Sequence, residues 1–163
     1  MNASDDPRRL RAAIQQVFRR FGVLGGDRTP CGQPLAPAHA HALMVLRERG
    51  ELTQGALGAE LGLEKSTMAR LAVRMIAADH LERQVDPQDR RVRNLTLTER
   101  GLRVAETVTR SSQARFSAVL DGIEPARRKM VLDALDLLLA ALPPPAQGPP
   151  PDDAPPSPSS LSS

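Results

Sequence analysis

Lys65, Ser66, Thr67 and Arg70 stand close together at the start of a stretch with helical spacing, and Arg74 follows one turn further on. The two hydroxyls donate or accept hydrogen bonds, and the guanidinium of Arg70 presents a planar fork that matches guanine O6 and N7. Arg74 sits where a cation would reach a phosphate. A second group follows in "DPQDRR", residues 86–91, where Asp86 and Asp89 precede Arg90 and Arg91. Carboxylates oppose a polyanion, so their presence here needs a reason. Charge-assisted hydrogen bonds from the arginines to the aspartates would pre-orient the cations. The plain alternatives are a helix start capped by Ser66 and Thr67 with Arg70 in solvent, and a solvated turn with incidental ion pairs.

The elements on either side decide between these readings. In "LTQGALGAELGLEKSTMARLAVRMIAADH" Thr53 is placed to cap a helix ending near Glu60, and Gly62 supplies a turn. A second helix, from about Lys65 to Ala78, buries Met68, Leu71, Ala72, Met75 and Ile76. Two short helices across a tight glycine turn form a helix-turn-helix pattern, in which the first residues of the second helix meet base edges in the major groove. "LERQV" and "RVRNLTLT" then alternate in polarity around "DPQDRR", which makes that segment the tip of a β-hairpin. A helix pair followed at once by a hairpin has the layout of a winged helix.

Helices are expected at both ends. "RRLRAAIQQVFRRF", residues 8–21, aligns Leu10, Ile14, Val17, Phe18 and Phe21 on one stripe, and a Gly- and Pro-rich loop follows from Gly22 to Pro37. "AHAHALMVLRER", 38–49, forms a short helix closed by Gly50. Thr98 caps a long helix running to about Leu120, which breaks at "DGIEP" and resumes at Pro125. "VLDALDLLLAAL", 131–142, is apolar over too wide an arc to face water, and a second copy of the chain is the simplest cover. The expected fold is therefore mainly α with a small β-hairpin wing. Residues 38–98 form a winged helix-turn-helix, and 8–24 with 99–142 form a helical dimerisation region. Residues 143–163, where nine of 21 are Pro and five are Ser, read as a disordered tail.

Composition narrows the function. The chain has 163 residues, 25% of them charged, and a formal net charge of +3, with Lys65 and Lys129 the only lysines among 22 basic residues. Arginine suits phosphate and base edges, although a coding bias produces the same count. With no Trp or Tyr and three Phe, a single-strand binder that stacks bases on aromatic rings is disfavoured. No apolar window is long enough to span a membrane and no signal-peptide core opens the chain, so a cytoplasmic protein is expected. No Ser-His-Asp set, phosphate loop or HExxH pattern occurs, so neither an enzyme nor a cofactor or metal centre is expected.

Taken together, the "LGL.KSTMARL" helix turn, the "DPQDRR" tip and "L.LTERG" leading into a long helix resemble the MarR family of transcriptional regulators, over roughly residues 38–120. The resemblance implies a homodimer that binds a pseudo-palindromic double-stranded DNA operator, as a repressor relieved by a small-molecule effector or by stress. It places Lys65, Ser66, Thr67, Arg70 and Arg74 with Asp89, Arg90 and Arg91 at the DNA. Arg91 matches the residue that enters the minor groove, and Arg90 goes to phosphate or to an aspartate. The chain departs from the family at Asp79-His80-Leu81, where a Gly-Leu-Val-like turn is usual. Asp tolerates positive φ, so the turn should survive. Gly58 replaces a more usual Ala, at about 1 kcal/mol if exposed.

Cys31, His39 and His41 lie near the junction where effector pockets sit in that family. Residues 39 and 41 do not share a helix face, which weakens a joint metal site. Three readings stay open: an ordinary loop cysteine with capping or core histidines, a thiol sensitive to oxidation, and a metal ligand folded back towards one histidine. A different class of function also stands beside DNA binding, a winged-helix module used only for protein association, with the proline-rich tail as a partner ligand.

Overall fold

The computed structural model describes residues 5–23, 28–85 and 93–143. Along the chain run α1 (Asp6–Phe21), α2 (Pro37–Arg49), β1 (Leu52–Thr53), α3 (Gln54–Glu60), α4 (Lys65–Ala77), β2 (Leu81–Val85), β3 (Arg93–Leu97), α5 (Glu99–Asp121) and α6 (Pro125–Ala141). This is the expected mainly helical winged helix-turn-helix, with one addition. The hairpin gains a third antiparallel strand, β1, against β3, giving the order β1-β3-β2. Leu52 pairs with Leu95, and Leu81 with Leu97 at the base of the hairpin. The tip, residues 86–92, and the proline-rich segment from 144 onward lie outside the described residues.

Local sequence accounts for the boundaries. The Thr53 hydroxyl accepts from the Ala56 amide at 3.1 Å and starts α3. Gly62 takes φ 63°, and the Leu63 amide returns to the Gly58 carbonyl at 2.8 Å, closing the turn between α3 and α4. Gly58 is buried rather than exposed, which corrects the expectation of a simple propensity cost. A Cβ there would stand 3.2 Å from Met68 Cγ, so the missing side chain lets α3 and α4 pack closely.

One core joins these elements. Leu43 and Leu46 of α2, Leu57 of α3, Leu71 and Met75 of α4, and Leu81 and Leu95 of the sheet are almost fully buried, with Ala105 of α5 against them. Each large side chain contributes about 1.5–3 kcal/mol by leaving water. The ribbon beyond this core is exposed: Val85, expected to alternate with Leu81 on one face, is 45% exposed. The core reaches only the hairpin's base.

The ends of the chain behave differently. Neither α1 nor α6 contains a buried residue. Leu137 and Leu139 are 74% and 66% exposed, and Val17, Phe18, Phe116, Leu132 and Leu135 are also open. Near its C-terminal end α1 meets α5 through Phe21 and Phe116, whose centroids are 5.6 Å apart, with Arg115 over the Phe21 ring. Among the described residues no helix is long and apolar enough to cross a membrane.

The first turn of α5 passes so close to the preceding turn that only glycine fits at 101. A Cβ there would overlap the His80 carbonyl oxygen and lie 2.8 Å from its carbon. Gly101→Ala is expected to cost about 3 kcal/mol, because backbone rather than a flexible side chain must move. Gly55→Ala, with nothing within 4 Å, should be neutral or stabilise by up to about 1 kcal/mol. Urea unfolding midpoints of the two variants measure both effects.

Candidate nucleic-acid interface

α4 turns Met68, Leu71, Ala72 and Met75 inward. That spacing leaves Lys65, Ser66, Arg70, Val73 and Arg74 exposed, with Thr67 half-buried. The helix starts from Glu64 without a side-chain cap, so neither Ser66 nor Thr67 is used as the N-cap. Arg70 Nη2 approaches Thr67 Oγ1 at 3.4 Å, a weak contact that aligns the guanidinium along the first turns. No ion pair among the described residues engages Lys65, Arg70 or Arg74; the pairs that form lie elsewhere, as between Arg49 and Glu60. Among the described residues, the outer face of α4 therefore carries three cations and two hydroxyls free of carboxylates. Val73, 58% exposed on the same face, is not marked by its residue type, although its spacing from Arg70 sets it outward.

The hairpin stands beside this helix. Its last described pair is Val85 with Arg93. Asp89, Arg90 and Arg91 belong to the connecting tip and lie outside the described residues. The base of the hairpin is tightly built. Asp79 takes φ 57°, as its tolerance of the left-handed region allows. The Thr98 hydroxyl donates to the Asp79 carbonyl at 2.7 Å and accepts from the Gly101 amide at 2.9 Å. The Thr98 amide in turn donates to the His80 carbonyl at 3.2 Å.

Cys31, His39 and His41 are not brought together. Cys31 is half-buried with its sulfur 3.1 Å from Thr29 Oγ1, and His41 is exposed. Among the described residues no cluster of three metal-ligating side chains forms. His39 instead meets His80, with Nε2 of His39 2.9 Å from Nδ1 of His80 and the rings edge to face. Burial holds His39 down at about 4, helped by His80 and by Arg74, against an ordinary 6.5. His80 is lowered too, by burial and then Arg100, with Asp79 acting in the opposite sense.

A cavity of about 330 Å³ opens next to this pair, lined by Gln33, Leu35, His80, Arg100, Arg103 and Thr107 among others. None of Cys31, His39 and His41 lines it. Gln33 is held there by its amide, which donates to Ser111 Oγ at 2.9 Å.

Residues 33–92 match the model of the MarR family. A MarR family protein from Bacillus stearothermophilus superimposes with a TM-score of 0.65, at 26% identity, over 86% of this chain and 96% of that one. Over this segment the chain is similar to the MarR family. The HTH-type transcriptional regulator YcgE of Bacillus subtilis is 30% identical over 94 residues, 56% of this chain. That match spans 61% of the relative's length. Streptococcus pneumoniae FabT, solved in complex with DNA, shares the fold at 18% identity and a TM-score of 0.66, over 85% of this chain and 96% of that one.

The segment matched to the MarR model takes in α2, the helix pair and β2, and it leaves out α1, α5 and α6. Thr98, just past that segment, ties the hairpin to α5 through two hydroxyl hydrogen bonds. Thr98→Ala is expected to destabilise by about 1–2 kcal/mol and Thr98→Ser by clearly less, read from chemical unfolding.

Proposed function

We propose that this chain is a cytoplasmic transcription regulator of the MarR family that binds double-stranded DNA as a homodimer and releases it when an effector binds. The observation that carries the reading is the outer face of α4. Its cations and the Ser66 hydroxyl are exposed, Thr67 is half-buried, and among the described residues none pairs with a carboxylate, on a helix held by its core face beside a hairpin. In this reading Lys65, Ser66, Thr67 and Arg70 enter the major groove, with Arg70 on guanine and Arg74 on phosphate. Val73 adds an apolar surface suited to a thymine methyl. Arg91 at the hairpin tip reaches the minor groove, and Arg90 and Asp89 flank it.

The uncovered faces of α1 and α6 support the dimer. Leu137 and Leu139 are more than half exposed and Leu132 and Leu135 about half, and each would gain about 1.5–3 kcal/mol on going from exposed to fully buried. A second copy supplies matching faces. Two copies would set their α4 helices about 34 Å apart, one turn of DNA, on a two-fold operator. The cavity beside α5 is the proposed effector site: Arg100, Arg103 and Gln33 offer donors over an apolar floor of Leu35 and Val104.

Duplexes selected by the protein from a random pool give the test. Binding should weaken steeply with salt. Arg70→Ala should lower affinity by about 10–100-fold and relax the preference at one base pair, equivalent to about 1–3 kcal/mol. Arg91→Ala should weaken binding strongly while leaving dimer mass and melting temperature unchanged. A protein that selects no duplex, or retards DNA without salt dependence, would instead be an association module.

A further inference from the structure

His39 and His80 lie far apart in sequence yet share a hydrogen bond of 2.9 Å. His39 sits in the first turn of α2, and His80 joins α4 to β2. One ring N–H donates to the bare nitrogen of the other. The bond survives with no added proton or with one, but two imidazolium rings would both be donors and would repel. The neighbours oppose protonation from several sides. Arg74 of α4 faces His39, Arg100 of α5 faces His80, and Arg103 of α5 lines the cavity that His80 also lines. Asp79, beside His80 in the turn, pulls the other way. The same cations, with no cluster of three groups placed to hold an ion among the described residues, make this an unsuitable place for a metal.

His80 is more than half of a pair. Its carbonyl receives the Thr98 amide and abuts Gly101, its ring lines the cavity, and its next residue, Leu81, begins the hairpin and is 2% exposed. One residue thus touches α2, α5, the hairpin base and the cavity. We infer that the His39–His80 pair is a proton-sensitive latch, which holds the base of the hairpin against α2 at neutral pH and opens on acidification, displacing the hairpin and the cavity wall together. The consequence for DNA rests on the function proposed above; the latch itself does not.

The direction follows from linkage. Unfolded histidines take up protons as pH falls through about 6.5. The folded His39 resists until about 4, so its contribution to stability is complete above 6.5 and is lost progressively as pH falls towards 4.

Histidine-labelled full-length chain, followed by ring and amide NMR from pH 7.5 to 3.5, is the direct test. Both rings of the pair should titrate below 6.5, and in His80→Gln the midpoint of His39 should rise. The Leu81 and Gly101 amides should move with the ring midpoints, a response that an isolated surface pair would not give. Melting temperature should fall more on acidification in the wild type than in His39→Gln or His80→Gln. Rings that titrate at the ordinary value, amides that ignore them, or superimposable melting profiles would overturn the latch. With a selected duplex, wild-type affinity should drop at least fivefold more than that of His39→Gln between pH 7.5 and 5. Equal losses would show that the pair does not reach the DNA-facing parts and would overturn that coupling. A protein that binds no duplex at any pH would refute the proposed function, while the ring and amide titrations would still support or overturn the latch.

Discussion

The contact between the 79–80 turn and the first turn of α5 sets much of the remaining architecture. Backbone meets backbone there, with His80 against Gly101, and no side chain can soften the fit. Thr98 fastens the contact from both directions, donating to the turn and accepting from the helix. Because the hairpin starts at Leu81 and ends at Leu97, both of its strands leave from this one point. α5 also packs along α2, so the hairpin, the helix pair and α5 share a single reference frame. Tolerances in such a frame are those of packed backbone, a few tenths of an ångström.

The core and the ends of the chain follow opposite rules. From α2 through the start of α5, apolar side chains find one another within the chain. In α1 and α6, apart from Phe21 against Phe116, they mostly do not, and leucines remain open to water. A sequence that kept such faces without a use for them would incur a solubility cost. The contrast divides the molecule into a part whose apolar side chains are covered within the chain and a part whose apolar side chains mostly are not.

Much of this is legible in the sequence because it is local. Thr53, Gly62, Asp79, Thr98 and Pro125 mark starts and turns by chemistry that acts within a few residues, and the inward face of α4 follows from its spacing. What the sequence hides is non-local. β1 has two residues, too few for alternation to register, and exists only because β3 lies beside it. Gly58 reads in sequence as a weak helix residue, but its purpose is to admit Met68. His39 stands out in sequence beside His41, whereas its actual partner, His80, comes after α4. The cavity draws on Gln33, His80 and α5, so Cys31, His39 and His41 mark its surroundings and not its walls. The proposed contacts at Asp89, Arg90 and Arg91 belong to a segment for which only the strand ends are described.

α5 is one unbroken helix of 23 residues. At 1.5 Å per residue it is a rod about 34 Å long. Its first turn is pinned to the hairpin base, while Phe116, near its other end, meets Phe21 of α1. Over such a length angle becomes distance: a difference of about 5° in its direction amounts to about 3 Å between its ends, roughly two residues' rise along a helix. The molecule therefore has a gear ratio. A few degrees at one end amount, at the other, to about half the spacing between neighbouring side chains on a helix face.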